Sequence, residues 1–251
     1  MTFTERPRHG GVVSRPGHQV PTQCIVPSDR PSRIGDRSSA RLTAVTERPL
    51  DAVPYAAGAT DAQLRFLGPV DGKRVLVLGA RDATAAAVFD REGAHVLVVE
   101  PDRTRIQRAQ AATDGAGIEW HEVDHAELAF TRADTIDLAF TAGVLDEIED
   151  FPRVLRQVHR VLRPHGTFLL AYEHPLARVL DGAQLARAWN DTKPVDADRE
   201  GAAVTLFPRT PSDVFVALIR AGFRVDALGE PVRAGEQVPA AIVFRARKEG
   251  A

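Results

Sequence analysis

The residues of this chain best suited to ligand chemistry lie where a strand turns sharply into a helix. Residues 75–84 read Val-Leu-Val-Leu-Gly-Ala-Arg-Asp-Ala-Thr, an apolar run followed by a turn and a helix start. In open α/β sheets this layout binds adenosine-containing cofactors. Gly79 is the one glycine at the turn, whereas Ala80, Arg81 and Ala83 each add a Cβ where backbone N–H groups would approach a ligand. The sequence therefore predicts a nucleotide site with an altered loop.

A second candidate for chemistry is His174, which follows an apolar strand at the expected ligand edge of the sheet. An imidazole with an unperturbed pKa of ~6.5 suits proton removal near neutrality, so we predict His174 as a general base. A histidine before Pro175 is also typical of a simple turn. Tyr172 and Glu173 are weaker candidates, because alternation along a strand points one of them away from the site.

Metal and thiol chemistry are not predicted. His121 and His125 have the i,i+4 spacing of ligands on a helix, but they fall across a strand end, where this spacing does not bring them together. The single cysteine, Cys24, excludes an intramolecular disulfide and argues against a cysteine-based metal site or nucleophile.

Other polar and aromatic residues have two interpretations each. An acidic run at a helix start is favoured there by the helix dipole and is expected to be solvated, with a cationic substrate as the alternative; it comprises Asp146, Glu147, Glu149 and Asp150. Trp120 is predicted to pack on a strand. Trp189 is a candidate substrate contact, with packing on the domain as the alternative.

Composition excludes several classes of protein. The chain has 251 residues, 44% of them hydrophobic, and a formal net charge of -2, which gives no global attraction to nucleic acid or membrane. No apolar run approaches the ~20 residues of a membrane span, and the N-terminus lacks the apolar segment of a secretory signal. We therefore expect a cytoplasmic protein.

Residues 1–45 differ in composition from the rest of the chain. They are rich in proline, serine and glycine and carry seven arginines against three acidic residues, with no hydrophobic period. This pattern predicts a disordered tail before a domain at residues 50–250. Organelle targeting is the alternative, although the prolines would interrupt an amphipathic helix.

The domain reads as an alternation of strands and helices. Apolar runs predict seven strands, at residues 74–78, 95–99, 118–122, 136–141, 167–172, 223–228 and 240–246. Helices are predicted at residues 61–66, 84–92, 102–112 and 151–162, and from a cap at Thr210 to Ala221. Residues 175–209 are expected to cover the substrate, with a helix over 177–189. The alternation implies an α/β fold with parallel strands.

Over roughly residues 55–250 the chain resembles the class I S-adenosylmethionine-dependent methyltransferases, specifically the small-molecule branch similar to methyltransferase type 11. The segments that carry the resemblance are residues 134–140, 154–166, 210–215, 221–225 and 244–248. The resemblance implies a Rossmann-like, seven-stranded, mostly parallel sheet with helices on both faces. In this fold the last strand inserts antiparallel between the fifth and sixth. The implied cofactor is S-adenosyl-L-methionine and the implied substrate a small molecule.

The resemblance also implies roles for individual residues. Gly79 matches the loop glycine beside the methionine part of the cofactor. Glu100, with Pro101 after it, matches the acid that accepts from the ribose hydroxyls, which suits an acceptor-only carboxylate at the end of a parallel strand. Asp124 and His125 match the position near the adenine ring. Thr141 matches the floor beneath the methyl donor.

Two departures from the family pattern concern the methionine end. Val77 stands where the family has an acid, and Ala80, Arg81 and Ala83 replace repeated glycines. Arg81 either pairs with the methionine carboxylate or folds back onto Glu100 or Asp124 and fills the pocket.

These departures leave two functions open. One is methyl transfer to a small molecule, and the other is a catalytically inactive binding or partner protein that keeps the fold. A nicotinamide dehydrogenase is disfavoured, because the loop lacks the G-x-G-x-x-G spacing and no lysine lies four residues after Tyr172.

Overall fold

Apolar strands buried on both faces form the centre of the fold. The computed structural model describes residues 47–81, 83–113, 117–181, 184–185, 187–199 and 201–250. In it, strands β1 (Arg74–Leu78), β2 (His95–Val99) and β4 (Ile136–Ala142) are parallel neighbours, while β3 (Glu119–His121) pairs with β2. Their continuous runs of valine, leucine and isoleucine are typical of parallel strands covered on both sides.

The sheet has seven strands in the order β10-β11-β5-β4-β1-β2-β3. The three strands on the other side of β4 are β5 (Leu162–Glu173), β10 (Phe223–Gly229) and β11 (Ala241–Lys248). Strand β11 lies between β5 and β10 and is antiparallel to both. The predicted fold class, including the antiparallel last strand, is confirmed.

Helices cover both faces of this sheet. On one face α1 (Thr84–Arg91) and α2 (Arg103–Ala112) contribute to a core that includes Phe89 and Phe140. On the other face α3 (Phe151–Val161) and α5 (Pro211–Arg220) pack over Leu76 and Phe168. The carboxyl ends of β1, β2 and β4 align at one edge, because Leu78 is in register with both Val99 and Thr141.

Helix starts follow the capping residues that the sequence contains. The Asp102 side chain accepts from the backbone N–H of Thr104, and Thr210 forms a capping box with Asp213, as predicted. Asp82 of the altered loop lies outside the described residues. So does the predicted tail, which stays a prediction together with the boundary of the 50–250 domain.

One predicted helix was too long and one predicted strand was too short. The segment predicted as a helix over 61–66 is only a 3-10 turn at Asp61–Gln63, because Arg65 has a φ of 52° and the Asp61 carboxylate takes the N–H groups of Phe66 and Leu67. Helix α3 ends at Val161, within one residue of its predicted end, but β5 begins directly at Leu162 and not at residue 167.

The predicted helix over residues 177–189 is also wrong. Helix α4 spans only Leu176–Val179 and is followed by paired strands: β6 (Leu180–Asp181) with β7 (Gln184–Leu185), and β8 (Val195–Arg199) with β9 (Ala202–Leu206). Leu180 pairs with Leu185 and Asp181 with Gln184 in an antiparallel arrangement, so this part of the segment has extended backbone and not helical backbone. In β8 and β9 inward and exposed residues alternate, the period of a strand.

The segment before β1 is held in place by one buried carboxylate, Asp61. Its side chain is fully buried and accepts from the Tyr55 hydroxyl and from the Arg48 guanidinium at 2.8 Å. Tyr55 in turn stacks on Phe140 of β4, with ring centroids 6.3 Å apart. Asp61 therefore fixes residues 54–58 beside the carboxyl edge of the sheet.

We predict that Asp61→Asn lowers the free energy of unfolding by about 3 kcal/mol, because it removes the negative charge to which the Arg48 guanidinium and the Tyr55 hydroxyl donate hydrogen bonds. Urea unfolding measures this change. Asp71→Asn, at an exposed position just before β1, is the control. A loss no larger than that of the control would contradict the role assigned to Asp61.

Candidate functional site

The turn after β1 requires a glycine. Gly79 has a φ of 97°, and a Cβ at this position would lie 2.6 Å from Cγ1 of Val144. Its N–H donates to the carbonyl of Val99 at 2.8 Å, which ties the turn to the end of β2. The glycine that the sequence keeps is the one that the backbone needs.

The residues that replace the other glycines do different things. Ala80 and Ala83 are buried in the apolar core, so their methyl groups pack into the protein. Only Arg81 carries its side chain to the site, where Nη1 donates to the carbonyl of Gly143 at 3.1 Å. The altered loop therefore adds one cation to the site, while its two alanines contribute to the core.

Glu100 is a fully buried carboxylate at the end of β2. Oε2 accepts from the N–H of Ala80 at 2.9 Å and Oε1 from the N–H of Asp102 at 3.0 Å. The Nη1 atom of Arg105 lies 3.9 Å from Oε1. Because a carboxylate has about four acceptor positions, each oxygen keeps capacity for one further donor.

One cavity, of about 510 Å³, opens beside this carboxylate; we call it the acidic cavity. Its wall includes Glu100, Pro101, Asp124 and His125. The six carboxylates and two arginines that line it are Glu100, Asp102, Asp124, Glu147, Glu149, Asp150, Arg105 and Arg153. It is therefore suited to ligand groups that donate hydrogen bonds.

His125 is the buried base of the acidic cavity. Its side chain is 7% exposed, and Nε2 has no hydrogen-bond partner among the described residues. Burial lowers the pKa of His125, although nearby carboxylates, Glu100 first among them, act in the opposite direction. A neutral imidazole with an unused nitrogen is suited to a polar ligand.

A second cavity, of about 390 Å³, lies beside Gly79; we call it the arginine cavity. Arg81 and Arg199 line it together with a single carboxylate, Glu173, and its apolar wall includes Val77 and Phe140. Residues 54–58 close it from the side of the N-terminal segment. Its excess of positive charge suits an anionic group.

A chain of ion pairs joins the two cavities. Glu147 accepts from Arg105 Nη1 at 2.7 Å and lies 3.5 Å from Arg199 Nη1, so it contacts one arginine from each cavity. Arg199 also donates to the Gly143 carbonyl at 2.9 Å and lies 3.8 Å from Asp146. Hairpin β8–β9 thereby reaches the carboxyl edge of the sheet.

The expectation that the whole acidic run is solvated was wrong for two of its members. Asp146 is buried and Glu147 is largely buried, because Arg105 and Arg199 face them. Glu149 and Asp150 are exposed, and Asp150 caps α3.

His174 lies away from both cavity walls. Its ring is 3% exposed, Nδ1 accepts from the N–H of Leu176 at 3.1 Å, and Nε2 lies 3.0 Å from Oε1 of Glu230. Both ring nitrogens are thus used to hold the turn after β5. The prediction that His174 is a general base remains a prediction, and this geometry favours the turn role.

The other candidate residues divide between core and cavity. Glu173 lines the arginine cavity, whereas Tyr172 is buried on the opposite face and stacks on Phe244. Thr141 points into the same face as Tyr172 and donates to the carbonyl of Leu78 at 3.0 Å. The floor of the arginine cavity is instead made by its neighbours Phe140 and Ala142.

The tryptophans and candidate metal ligands lie elsewhere. Trp120 packs against the core as predicted, and Trp189 is 45% exposed beside α4, outside the walls of both cavities. His121 stacks on Phe130. In the part of the chain that is described, no three His, Cys, Asp or Glu side chains are grouped to hold a metal ion.

None of the helices described is long and apolar enough to cross a bilayer.

Sequence reasoning missed Arg105 and Arg199. Arg105 lies in the helix predicted at residues 102–112 and Arg199 in the predicted substrate cover, and neither was singled out as a site residue. The signal for Arg199 was the alternation of residues 195–206, which predicts a hairpin with Arg199 on its inward face.

Comparison with known proteins agrees with this geometry. Residues 76–170 match the family model described as a methyltransferase domain. An S-adenosylmethionine-dependent methyltransferase from Mesorhizobium loti is 26% identical, with 74% of this chain and 95% of that chain covered and a TM-score of 0.59. Residues 76–170 therefore carry a methyltransferase domain, and the chain has the fold of the class I S-adenosylmethionine-dependent methyltransferases.

More distant structures of this family share the fold. A Listeria monocytogenes protein is 19% identical, with 75% and 97% of the two chains covered and a TM-score of 0.63. The 1,6-didemethyltoxoflavin-N1-methyltransferase of Burkholderia thailandensis is 20% identical, with 72% of each chain covered and a TM-score of 0.51. Its structure holds 1,6-didemethyltoxoflavin and S-adenosylhomocysteine. No curated protein sequence matches the chain.

We predict that this methyltransferase loses stability as the pH falls below about 6.5, partly through His125. The folded state lowers the pKa of this imidazole, so below the unfolded-state pKa the unfolded chain binds more protons and is favoured. The effect amounts to at most about 1.4 kcal/mol for each pH unit. Urea unfolding at pH 8 and pH 5.5 measures it.

The matched variant is His125→Gln, which should reduce the pH dependence of stability. His95→Gln removes an exposed imidazole at the start of β2 and should keep the pH dependence of the parent chain. Equal pH dependence in the parent and His125→Gln would contradict the assignment.

Proposed function

We propose that this methyltransferase transfers the methyl group of S-adenosylmethionine to a small molecule. The observation that carries the proposal is the buried Glu100 carboxylate, which two backbone N–H groups fix at the end of β2 with acceptor capacity left on both oxygens. S-adenosylmethionine is the cofactor of the family, and the residues of this chain fit it.

The acidic cavity fits the nucleoside end of the cofactor. Glu100 takes the two ribose hydroxyls, because its oxygens keep one acceptor position each. Asp124, exposed at the cavity wall, accepts from the exocyclic amine of adenine. The unpartnered Nε2 of His125 gives this end a further polar contact.

The arginine cavity fits the methionine end. Arg81 lines it beside Gly79, and a guanidinium is suited to bidentate hydrogen bonding with a carboxylate. This contact compensates for Val77, which provides no acid toward the amino group. Ala80 and Ala83 do not obstruct the ligand, since both pack into the core.

The substrate enters from the side of residues 54–58 and the β8–β9 hairpin. These segments line the arginine cavity, and the part of its volume of about 390 Å³ that the methionine end leaves free suits a small molecule. The Burkholderia thailandensis protein of the same fold binds 1,6-didemethyltoxoflavin, which is consistent with this assignment.

The protein has little covalent chemistry to perform. Bound S-adenosylmethionine supplies an activated methyl group on a sulfonium, which carries its own leaving group. The chain aligns the acceptor atom, and the hairpin and residues 54–58 exclude water. Where the nucleophile is a hydroxyl, a base must take its proton. We place this base at Glu173, the one of the three candidate bases that lines the cavity.

We predict that Glu100→Gln weakens binding of S-adenosylhomocysteine by about 30-fold, because an amide donates where a ribose hydroxyl also donates. Isothermal titration of the purified chain measures the affinity. Glu122→Gln, an exposed position after β3, should bind as the parent does. If the parent shows no binding at millimolar ligand, the proposed function fails and the inactive alternative gains support.

We predict that Arg81→Gln weakens S-adenosylhomocysteine about tenfold but leaves binding of 5′-methylthioadenosine unchanged. The second ligand has the adenosine and thioether but lacks the amino-acid carboxylate. Arg91→Gln, exposed on α1, is the control. An equal loss for both ligands would mean that Arg81 supports the loop and does not bind the carboxylate.

A further inference from the structure

A third cavity lies at the opposite end of the sheet from the methyltransferase site. It has a volume of about 400 Å³ and is bounded by the segment before β1 and by the first residues of β4 and β5. Five basic side chains and one histidine line it, namely Arg65, Lys73, Arg163, Arg245, Arg247 and His165, against a single carboxylate, Asp137. This concentration of positive charge contrasts with the chain after residue 46 as a whole, which has a net charge of about -6.

Carboxylates behind the cavity wall orient its arginines. Asp226 accepts from Nε of Arg245 at 2.8 Å and from Nε of Arg247 at 2.6 Å, so one aspartate holds two neighbouring guanidinium groups. Burial works against the charged form of Asp226, but these two hydrogen bonds lower its pKa. Because both arginines are held through Nε, their terminal Nη groups are the donors left for a ligand.

Other parts of the wall add preorganised donors. Arg163 Nη1 is held by Oδ1 of Asp137 at 2.7 Å, and the Arg245 guanidinium lies over the Phe66 ring at 5.2 Å from its centroid. The Lys73 ammonium is exposed and has no carboxylate partner in the described part of the chain. Aligned guanidinium groups beside a mobile ammonium are a typical arrangement for binding phosphate oxygens.

We propose that this cavity binds the phosphate group of a small phosphorylated molecule, at a site separate from the cofactor site. The wall supplies several fixed N–H donors around a confined space, which matches the several acceptor oxygens of a phosphate or diphosphate. A long nucleic acid fits less well, because the chain after residue 46 has a net charge of about -6.

The test is isothermal titration of the full chain with inorganic pyrophosphate at low ionic strength. We expect saturable binding at one site, reduced about tenfold by Arg247→Gln and by Lys73→Gln. Lys73→Gln guards against misfolding, since this side chain has no partner to lose. Arg220→Gln, an exposed arginine at the end of α5, is the matched control and should bind as the parent does.

A competition arm separates this site from the methyltransferase site. Saturating S-adenosylhomocysteine should leave pyrophosphate binding unchanged, because the two sites lie at opposite ends of the strands. Absence of saturable binding, or an equal loss in Arg220→Gln, would overturn the proposal. A single-stranded RNA 20-mer serves as the alternative ligand. If it binds more tightly than pyrophosphate and loses this binding in the same variants, the assignment of a small phosphorylated ligand is wrong and a polymer is the ligand.

Discussion

The burial of one carboxylate, Glu100, determines how the cofactor loop is built. A fully buried charge is tolerated only where hydrogen bonds replace water, and here the donors are the N–H groups of Ala80 and Asp102. One belongs to the turn after β1 and the other to the start of α2. The acid thereby holds the loop and the helix at a fixed distance, and the loop needs a single glycine to keep its path.

This constraint explains which parts of the fold were predictable. Strands β1 and β2 are continuous apolar runs, and Thr210 caps α5 through local contacts, so short windows of sequence contain the information. The order of the sheet came from the family resemblance alone, because the insertion of β11 between β5 and β10 depends on contacts far apart in the chain. The prediction of a helix at residues 177–189 was wrong because the spacing of apolar residues in a short segment does not distinguish a helix from paired strands.

The family resemblance, and not the strand pattern alone, pointed to Glu100 and Asp124 in the candidate site. The structure places both in the wall of the acidic cavity, with Glu100 directly after β2, and their roles toward the cofactor stay predictions. The ion pairs of Glu147 with Arg105 and Arg199 could not be predicted from the sequence. The three residues lie up to 94 positions apart, and each alone reads as an ordinary surface charge. His174 shows the limit of inference from position, because the structure engages both of its ring nitrogens at the turn after β5 while its role as a general base stays a prediction.

The opposite charges of the acidic and arginine cavities explain why the altered loop contains an arginine. A loop rich in glycines binds ligand through bare backbone N–H groups, but here the N–H of Ala80 is already used by Glu100. The positive charge that the backbone no longer offers is supplied by the Arg81 side chain, which reaches the same cavity as Gly79. A guanidinium is longer and more adaptable than a backbone amide, so binding through it costs more side-chain entropy. The ion pairs of Glu147 with Arg105 and Arg199 offset part of this cost by fixing the surrounding wall before ligand arrives.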